Sequence, residues 1–473
     1  MSGEPLTLDC LVHIFSYLEA PDLLRAAQVN KTWLEATETA SLWRNMCLNQ
    51  WAFCNISVIP GMQTWKKYYL HRSNIEHKMM SGRPSVDYTC KAMRGHQGDI
   101  GDMAYLSPNE HTFAMGKVKS IVCTASGDGT VKAWDVQEGT QIWSSPKQEK
   151  GLVQVITLPQ HNLVVTRGLP GTIKLWHGDT GKELGAFSID SILRPAVAYT
   201  INNQLFISVA TSGEQIYTLA APSLGQISCI KPFPNCGVDL SPCSPDGRSI
   251  VILPLDDSKA PKVLYTHYAT NPEDDQLMFS SPLPINTRVV ATCWLPAEPA
   301  RIALMHVEDL MLEGYQHSIS TFDITIQKSK YKMNIMAQQV ATFRLPQKCV
   351  FRQAKNVAGF GKQTLVIAFD MELKLYSLNG TELSTFQDHQ KMITSIWVDP
   401  FRVVTSSLDL SLRVYTWKHD NKTSSLISRY HLVGGSHRWS RGFTNVACDD
   451  VSIAGVVAGV DQTDILRVYR FDL

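Results

Sequence analysis

Residues 125–135 read ASGDGTVKAWD, and this run decides the fold. Ala125-Ser126 closes one strand. Gly127-Asp128-Gly129 carries turn chemistry, because glycine supplies positive φ and aspartate accepts bonds from nearby backbone N–H groups. Thr130-Val131-Lys132-Ala133-Trp134 then has the β-branched and aromatic content of a second strand. Gly95-His96 stands upstream, after a short polar and basic stretch. From Gly95 to Asp135 the unit spans about 40 residues, the length of one propeller blade.

A Gly-His, a turn Asp and a Trp-Asp in one such unit resemble a WD repeat. That resemblance implies a hydrogen-bonded chain tying three strands together. Its members here would be His96, a hydroxyl from Thr124 or Ser126, Asp128 and Trp134, with Ser126 the assigned hydroxyl. Each bond is worth only ~1 kcal/mol net. A partner left buried and unpaired costs more, so the chain specifies geometry as much as it adds stability.

The second strand of this template recurs along the sequence. It is found at Val131–Val136, Ile173–Gly178, Gln215–Leu219, Lys262–His267, Ile319–Ile324, Leu373–Leu378, Leu412–Trp417 and Leu466–Phe471. The anchor aromatics are Trp134, Trp176, Tyr217, Tyr265, Phe322, Tyr376, Tyr415 and Tyr469. The expected fold is therefore multidomain, with an all-β WD-repeat propeller over 88–473. Eight blades are favoured, and seven with one miscounted unit stay open. The eighth anchor strand nearly ends the chain, so its blade needs an outermost strand from elsewhere. Residues 88–94, YTCKAMR, are a spare strand and would close the ring. Closure leaves only short, protected strand edges. The turn Asp is present as Asp128, Asp370 and Asp409, whereas the second repeat has Pro170 and the third Thr211.

Ahead of the repeats, residues 6–18 read LTLDCLVHIFSYL, with apolar positions at helical spacing. Thr7 suits an N-cap. Pro21 suits the first turn of a second helix. The order of features across residues 1–47 resembles an F-box. Matching positions are Leu6, Leu11, Ile14, Phe15, Leu18, Asp22, Leu23, Leu24, Val29, Trp33, Leu42 and Trp43. Thr7 stands where the family usually has Pro, and Glu19-Ala20 where it often has Asp-Pro. A segment this small cannot bury much surface alone, so an apolar face is left over as a docking surface. The resemblance implies that Leu6, Leu11, Ile14, Phe15, Leu18, Asp22, Leu23, Val29 and Trp33 bind the Skp adaptor of SCF (Skp–cullin–F-box) ubiquitin ligases. Residues 48–87 are expected to be a helical linker, with Trp65, Tyr68, Tyr69, Ile75 and Met79 packing as a core stripe.

No catalytic constellation is visible. Phe360-Gly361-Lys362-Gln363-Thr364 lacks the upstream Gly and the following Ser/Thr of a phosphate loop. The fourteen His residues show no ligand spacing, and the eleven Cys are scattered with no C-x-x-C pair. No metal and no cofactor are expected. The net charge of +1 gives no global pull toward nucleic acid. No run of ~20 apolar residues predicts a membrane span. Asp9 and His13 interrupt the N-terminal apolar positions and no basic residue precedes them, so no signal peptide is expected. The implied compartment is the cytosol, the nucleus or both.

Read whole, the order F-box, helical linker, propeller resembles the F-box/WD-repeat family. The resemblance implies a non-catalytic substrate-recognition subunit of an SCF ligase, partnered by the Skp adaptor, a cullin and a protein substrate. The alternative is a WD-repeat scaffold outside a ligase. In this family the substrate sits on the propeller face built from the loops entering each blade and the turns between its second and third strands. Entering loops here carry Lys147, Lys150, Arg194, Arg288, Lys348, Lys391, Arg438 and Arg441. The turns carry Asp256, Asp257, Glu308, Asp309 and Glu313. The densest basic stretch is Ser436-His437-Arg438-Trp439-Ser440-Arg441, with Lys391 and Arg94 expected nearby. Those five residues, Arg94, Lys391, Arg438, Trp439 and Arg441, are the substrate-face candidates. A solvated loop is the plain reading of this stretch; guanidinium pairs there would suit a phosphorylated segment, and an unmodified acidic partner is the third reading.

Overall fold

The computed structural model describes residues 6–50, 64–83, 87–106, 120–271, 280–309, 315–328, 333–346, 356–420 and 423–471. Its N-terminal part is helical. Thr7 caps α1 (Leu8–Phe15), its hydroxyl accepting from Cys10 N at 3.4 Å. Pro21 lies in the first turn of α2 (Ala20–Ala26). Asn30 caps α3 (Lys31–Thr37), accepting from Trp33 N at 2.9 Å. Leu11, Phe15, Leu23, Ala36, Leu42 and Trp43 form one buried core across these helices and α4 (Ala40–Gln50). Fully burying each large side chain contributes ~1.5–3 kcal/mol, so the sum can offset the ordering cost of a small unit. The expected boundary at residue 47 falls inside α4, because Leu42, Trp43 and Cys47 continue one buried stripe.

The linker helix α5 (Trp65–Ser81) starts on the Thr64 cap and ends at Gly82, whose φ of +69° is left-handed. Its two halves bury different surfaces. Trp65, Tyr69 and Leu70 pack against the F-box core. Ile75 and Met79 sink into the propeller, among Val404, Tyr430, Phe443 and Phe471. The Tyr430 hydroxyl donates to the Lys78 carbonyl, and Arg72 lies over the Phe401 ring at 4.6 Å. The stripe read from the sequence is thus core, shared between two domains.

The propeller has eight sheets of four antiparallel strands, and the seven-bladed alternative is not realised. Blade 1 runs from its inner to its outer strand as β2 (Ile100–Tyr105), β3 (Ile121–Ser126), β4 (Val131–Asp135) and β5 (Thr140–Ser144). Blades 2 to 7 span 152–188, 193–230, 238–282, 288–344, 357–386 and 393–433. Every anchor aromatic named above falls on the third strand of its blade. In blade 4 that strand is shorter than expected: it stops at Tyr265, and α6 (Thr266–Thr270) follows. Thr266 Oγ1 bonds the Gly247 carbonyl at 3.0 Å, drawing the chain off the sheet axis.

Blade 8 takes three strands from 440–470 and its outermost one from β1 (Thr89–Met93). The register pairs Thr89 with Arg470 and Met93 with Leu466. Further bonds stitch this seam to blade 1. Asp464 accepts from Ile100 N at 2.8 Å, and the Tyr105 and Ser452 hydroxyls lie 2.8 Å apart. Around the channel, Asn445 Nδ2 donates to Asp102, which also accepts from Val155 N, linking blades 8, 1 and 2.

Antiparallel order puts the blade-entering loops and the second-to-third-strand turns at one end of the ring. The first-to-second-strand turns lie at the other end. Phe401 and Arg402, which touch α5, belong to such a turn in blade 7. The helical arm is therefore seated on the end opposite the candidate substrate face.

Candidate functional site

Blade 1 forms the polar chain, with one correction. Trp134 Nε1 donates to Thr124 Oγ1 at 2.8 Å, and that hydroxyl lies 2.7 Å from His96 Nε2. His96 Nδ1 lies 2.9 Å from Asp128 Oδ2. The hydroxyl is Thr124 and not Ser126, whose Oγ instead accepts from Asp128 N within the turn at 3.2 Å. Register decides this, since Thr124 pairs across the sheet with Lys132, one pleat closer to the indole. Burial holds the His96 pKa below its ordinary value, outweighing the upward pull of Asp128, so the ring is neutral at pH 7. One tautomer then satisfies the chain: Nδ1–H donates to Asp128 and Nε2 accepts from Thr124. Burial pushes the Asp128 carboxyl upward, but bonds from Thr130, Gln97 and His96 together hold it at about 2.

Blade 7 repeats the arrangement at the same distances. His389 Nδ1 is 2.9 Å from Asp409, and His389 Nε2 is 2.7 Å from Thr405 Oγ1. Tyr415 takes the anchor position and is fully buried. Blade 2 keeps only the end of the chain, with Trp176 Nε1 donating to Thr166 Oγ1 at 2.9 Å. In blade 7 the turn Asp409 and the Asp388-His389 variant of Gly-His are legible in the sequence, and the unassigned hydroxyl is visible as a spacing: Thr124, Thr166 and Thr405 each stand ten residues before their anchor.

On the F-box the nine expected adaptor residues separate by depth. Leu11, Phe15 and Leu23 are buried in the domain's own core and present no surface. Trp33 and Leu18 are half-buried against that core, the Phe15 and Trp33 rings lying 5.3 Å apart. Asp22 is on the surface, paired with Arg25 at 2.7 Å. The outward apolar residues are Leu6, Ile14 and Val29, at 52%, 46% and 58% exposure. Leu8 and Leu34, exposed on α1 and α3, extend this set; neither is among the nine expected adaptor residues. The two helices pack against each other. A helical stripe marks what is apolar, and the third helix decides which part of the stripe turns inward.

The substrate-face candidates gather around blade 8. Trp439 is exposed with the Arg438 guanidinium 5.3 Å from its ring. Arg441 Nε donates to the Gly459 carbonyl at 2.8 Å, and its guanidinium lies 3.9 Å from Asp99. Arg94 is exposed and helps Thr463 hold the Asp461 carboxyl low. Lys391 is exposed at the entrance to blade 7. Of the other entering-loop cations, Lys147, Lys150 and Arg288 are exposed, while Arg194 lies 3.6 Å from Asp239. In the acidic sector Asp256 is tied to Ser258 and Lys259, and Asp257 and Glu308 are exposed. Lys348 and Glu313 lie outside the described residues, as does the Asp309 side chain. Among the described residues no group of three or more His, Cys, Asp or Glu could hold a metal ion. No described helix is long and apolar enough to cross a membrane.

Family models match at both ends of this layout: an F-box-like model over residues 8–49, and a WD domain, G-beta repeat model over 88–135. F-box/WD repeat-containing protein 12 of Homo sapiens is 31% identical over 468 residues, covering 98% of each chain. F-box/WD repeat-containing protein 15 of Mus musculus is 28% identical over 473 residues, covering 98% of this chain and 99% of its own. Among solved structures, the Dos1 propeller superposes with a TM-score of 0.55 at 11% identity, over 80% of this chain and 94% of its own. The computationally designed Ika8 protein gives 0.54 at 17%, over 80% and 98%. At those identities the structures speak for the propeller fold alone. The relatives speak for the whole chain, helical arm and ring together, and on that ground it belongs to the F-box/WD-repeat family.

Proposed function

We propose that this chain is the substrate-recognition subunit of an SCF ubiquitin ligase, acting in the cytosol, the nucleus or both. The F-box docks the Skp adaptor and through it the cullin, and the propeller holds the substrate. F-box/WD-repeat proteins are typically non-catalytic adaptors. The chain would contribute proximity, raising the local concentration of substrate lysines near a charged ubiquitin carrier. One observation carries the reading: Leu6, Leu8, Ile14, Val29 and Leu34 stay exposed on a small domain whose own core is already filled. Exposed apolar surface of this kind marks an interface.

The test is co-purification with the Skp adaptor and cullin. Ile14→Asp and Val29→Asp change outward residues, so the thermal midpoint should hold while adaptor affinity falls roughly thirtyfold or more, as for a truncated interface anchor. Leu11→Ala should lower the midpoint as well. Wild-type adaptor binding by both aspartate variants would remove the assignment of this apolar surface, and absence of adaptor and cullin from the purified wild-type chain would remove the ligase reading and leave a scaffold.

A further inference from the structure

Among the substrate-face candidates, the cations are not equivalent. Arg441 is committed within the fold, to the Gly459 carbonyl and toward Asp99. Arg94 sits near Asp461. Arg438 has no carboxylate within ion-pair distance among the described residues, and its guanidinium leans over the Trp439 indole. Trp439 itself is 70% exposed, and its neighbour Val460 is 56% exposed. The indole and the valine beside it form a small apolar surface that a partner can cover.

Two backbone bonds hold this knob. Trp439 N donates to the Ser436 carbonyl at 3.1 Å, and Val460 N donates to the Trp439 carbonyl at 3.2 Å. The second bond fixes Trp439 against Val460, across the two turns that build this end of blade 8. Gly434 and Gly442 bracket the loop where side chains cannot fit. A Cβ at Gly434 would lie 2.4 Å from the Phe443 ring, and one at Gly442 would lie 2.5 Å from Leu408 Cα. The loop thus carries little ordering cost on binding.

We infer that Trp439, Val460 and Arg438 form a docking point for an extended peptide segment presenting one large apolar side chain with a carboxylate beside it. This deepens the substrate-face reading and rests on it. The apolar side chain covers the indole and Val460, and the carboxylate pairs with the Arg438 guanidinium leaning over that indole. Charge complementarity selects this occupant. A singly charged carboxylate suits this site better than a doubly charged phosphate, because Arg441 is drawn toward Asp99 and the Gly459 carbonyl and Arg94 lies by Asp461. Trp and Arg are the residue types that most often dominate interface energetics.

The probe is an array of short random-sequence peptides, synthesised with and without serine phosphorylation, challenged with the full chain. Selected peptides should carry Trp, Phe or Leu next to Asp or Glu. Trp439→Ala should weaken them roughly thirtyfold and Arg438→Ala less, whereas Arg441→Ala leaves them nearly unchanged. Val460→Asp is a second variant at the same spot, and thermal midpoints monitor folding. Peptides that bind Trp439→Ala at wild-type strength overturn the proposal. So do binders that require phosphate and Arg441, or a dimer of the free chain that Trp439→Ala dissolves. Binders lost in Asp257→Lys or Glu308→Lys would overturn it while keeping the face reading. Binders indifferent to every variant at this end of the ring would overturn both.

Discussion

Blades 1 and 7 on one side, and blade 3 on the other, solve the same problem with different residues. In blades 1 and 7 a histidine enters from the preceding loop and joins a threonine to a turn aspartate, at matching distances of 2.7 and 2.9 Å. In blade 3 the Tyr199 hydroxyl meets Ser208, and Ser208 meets Thr218, at 2.9 and 3.1 Å. That chain also links three adjacent strands, Leu193–Ile201, Gln204–Thr211 and Ile216–Ala220, but it has no charged member and no indole. Both kinds of blade therefore have a polar cross-tie. The familiar His–Thr–Asp–Trp form adds a fixed entering loop and a carboxylate held ionised.

The largest test of that difference is to remove the anchors. Trp134→Ala deletes a buried indole and its bond to Thr124, and should cost ~3–5 kcal/mol. Tyr217→Ala in blade 3 should cost less, because Tyr217 bonds Gln215 at its rim and stands outside the cross-tie. Thermal midpoints measured by differential scanning calorimetry compare the two. Equal losses would mean that the bond into the cross-tie adds nothing to anchor strength.

Removing the central hydroxyl should have a middling effect. Thr124→Val leaves both His96 Nε2 and Trp134 Nε1 unpaired in the interior, for ~1–3 kcal/mol, and Thr405→Val should do similar harm in blade 7. Blade 8 stands between the two and their polar chains share no member, so the double variant should be close to additive. Ser208→Ala in blade 3 separates two hydroxyls that can each turn to another partner, and should cost less. Hydrogen exchange localised to each blade reads the outcome. Greater exposure of blade 3 than of blades 1 and 7 would reverse the ranking.

The smallest effect is in the pH dependence, and its sign follows from the groups involved. His96 is held below its ordinary 6.5, so the unfolded chain takes up a proton first and stability drops as pH falls through that value. Asp128 at about 2, and Asp409 lower still, stay ionised in the fold while the unfolded carboxyls protonate near 3.8. More stability is therefore lost as pH falls from about 4 toward 2. Asp450 acts the other way. Burial, with Asp449 beside it, pushes its carboxyl up to about 7, so stability is lost as pH rises from about 4 through 7. Asp128→Asn/Asp409→Asn should flatten the acid limb of the midpoint-against-pH curve, and Asp450→Asn should raise the midpoint at pH 8 more than at pH 5. An acid limb unchanged by the first pair would place the titration outside the His-bearing blades.

Much of the ring was legible because strand periodicity and turn chemistry are local. Eight anchors on third strands, and a spare N-terminal strand for a blade that lacked one, follow from counting. What was not legible depends on register and packing partners. Thr124 and Ser126 share a face of one strand, and only the pairing with β4 chooses between them. Leu11 and Ile14 share a helix, and only the placement of α3 sends one inward and leaves the other in water. The cations near Trp439 look alike in a sequence. Asp99, close to Arg441 through the fold, comes from the far end of the chain.

The seat of α5 has a mechanical consequence. The closing strand β1 follows the helical arm by only a few residues, and it is attached through one row of five pairs. Tension between the F-box and the ring would otherwise peel that strand from its Thr89 end, one pair at a time. Before it arrives there, the pull meets Met79 against Arg402, and Tyr430, whose hydroxyl bonds both the Lys78 carbonyl and the Asp87 carboxylate. These contacts carry the force into blade 7, so the arm works as a strain relief for the seam that keeps the circle shut.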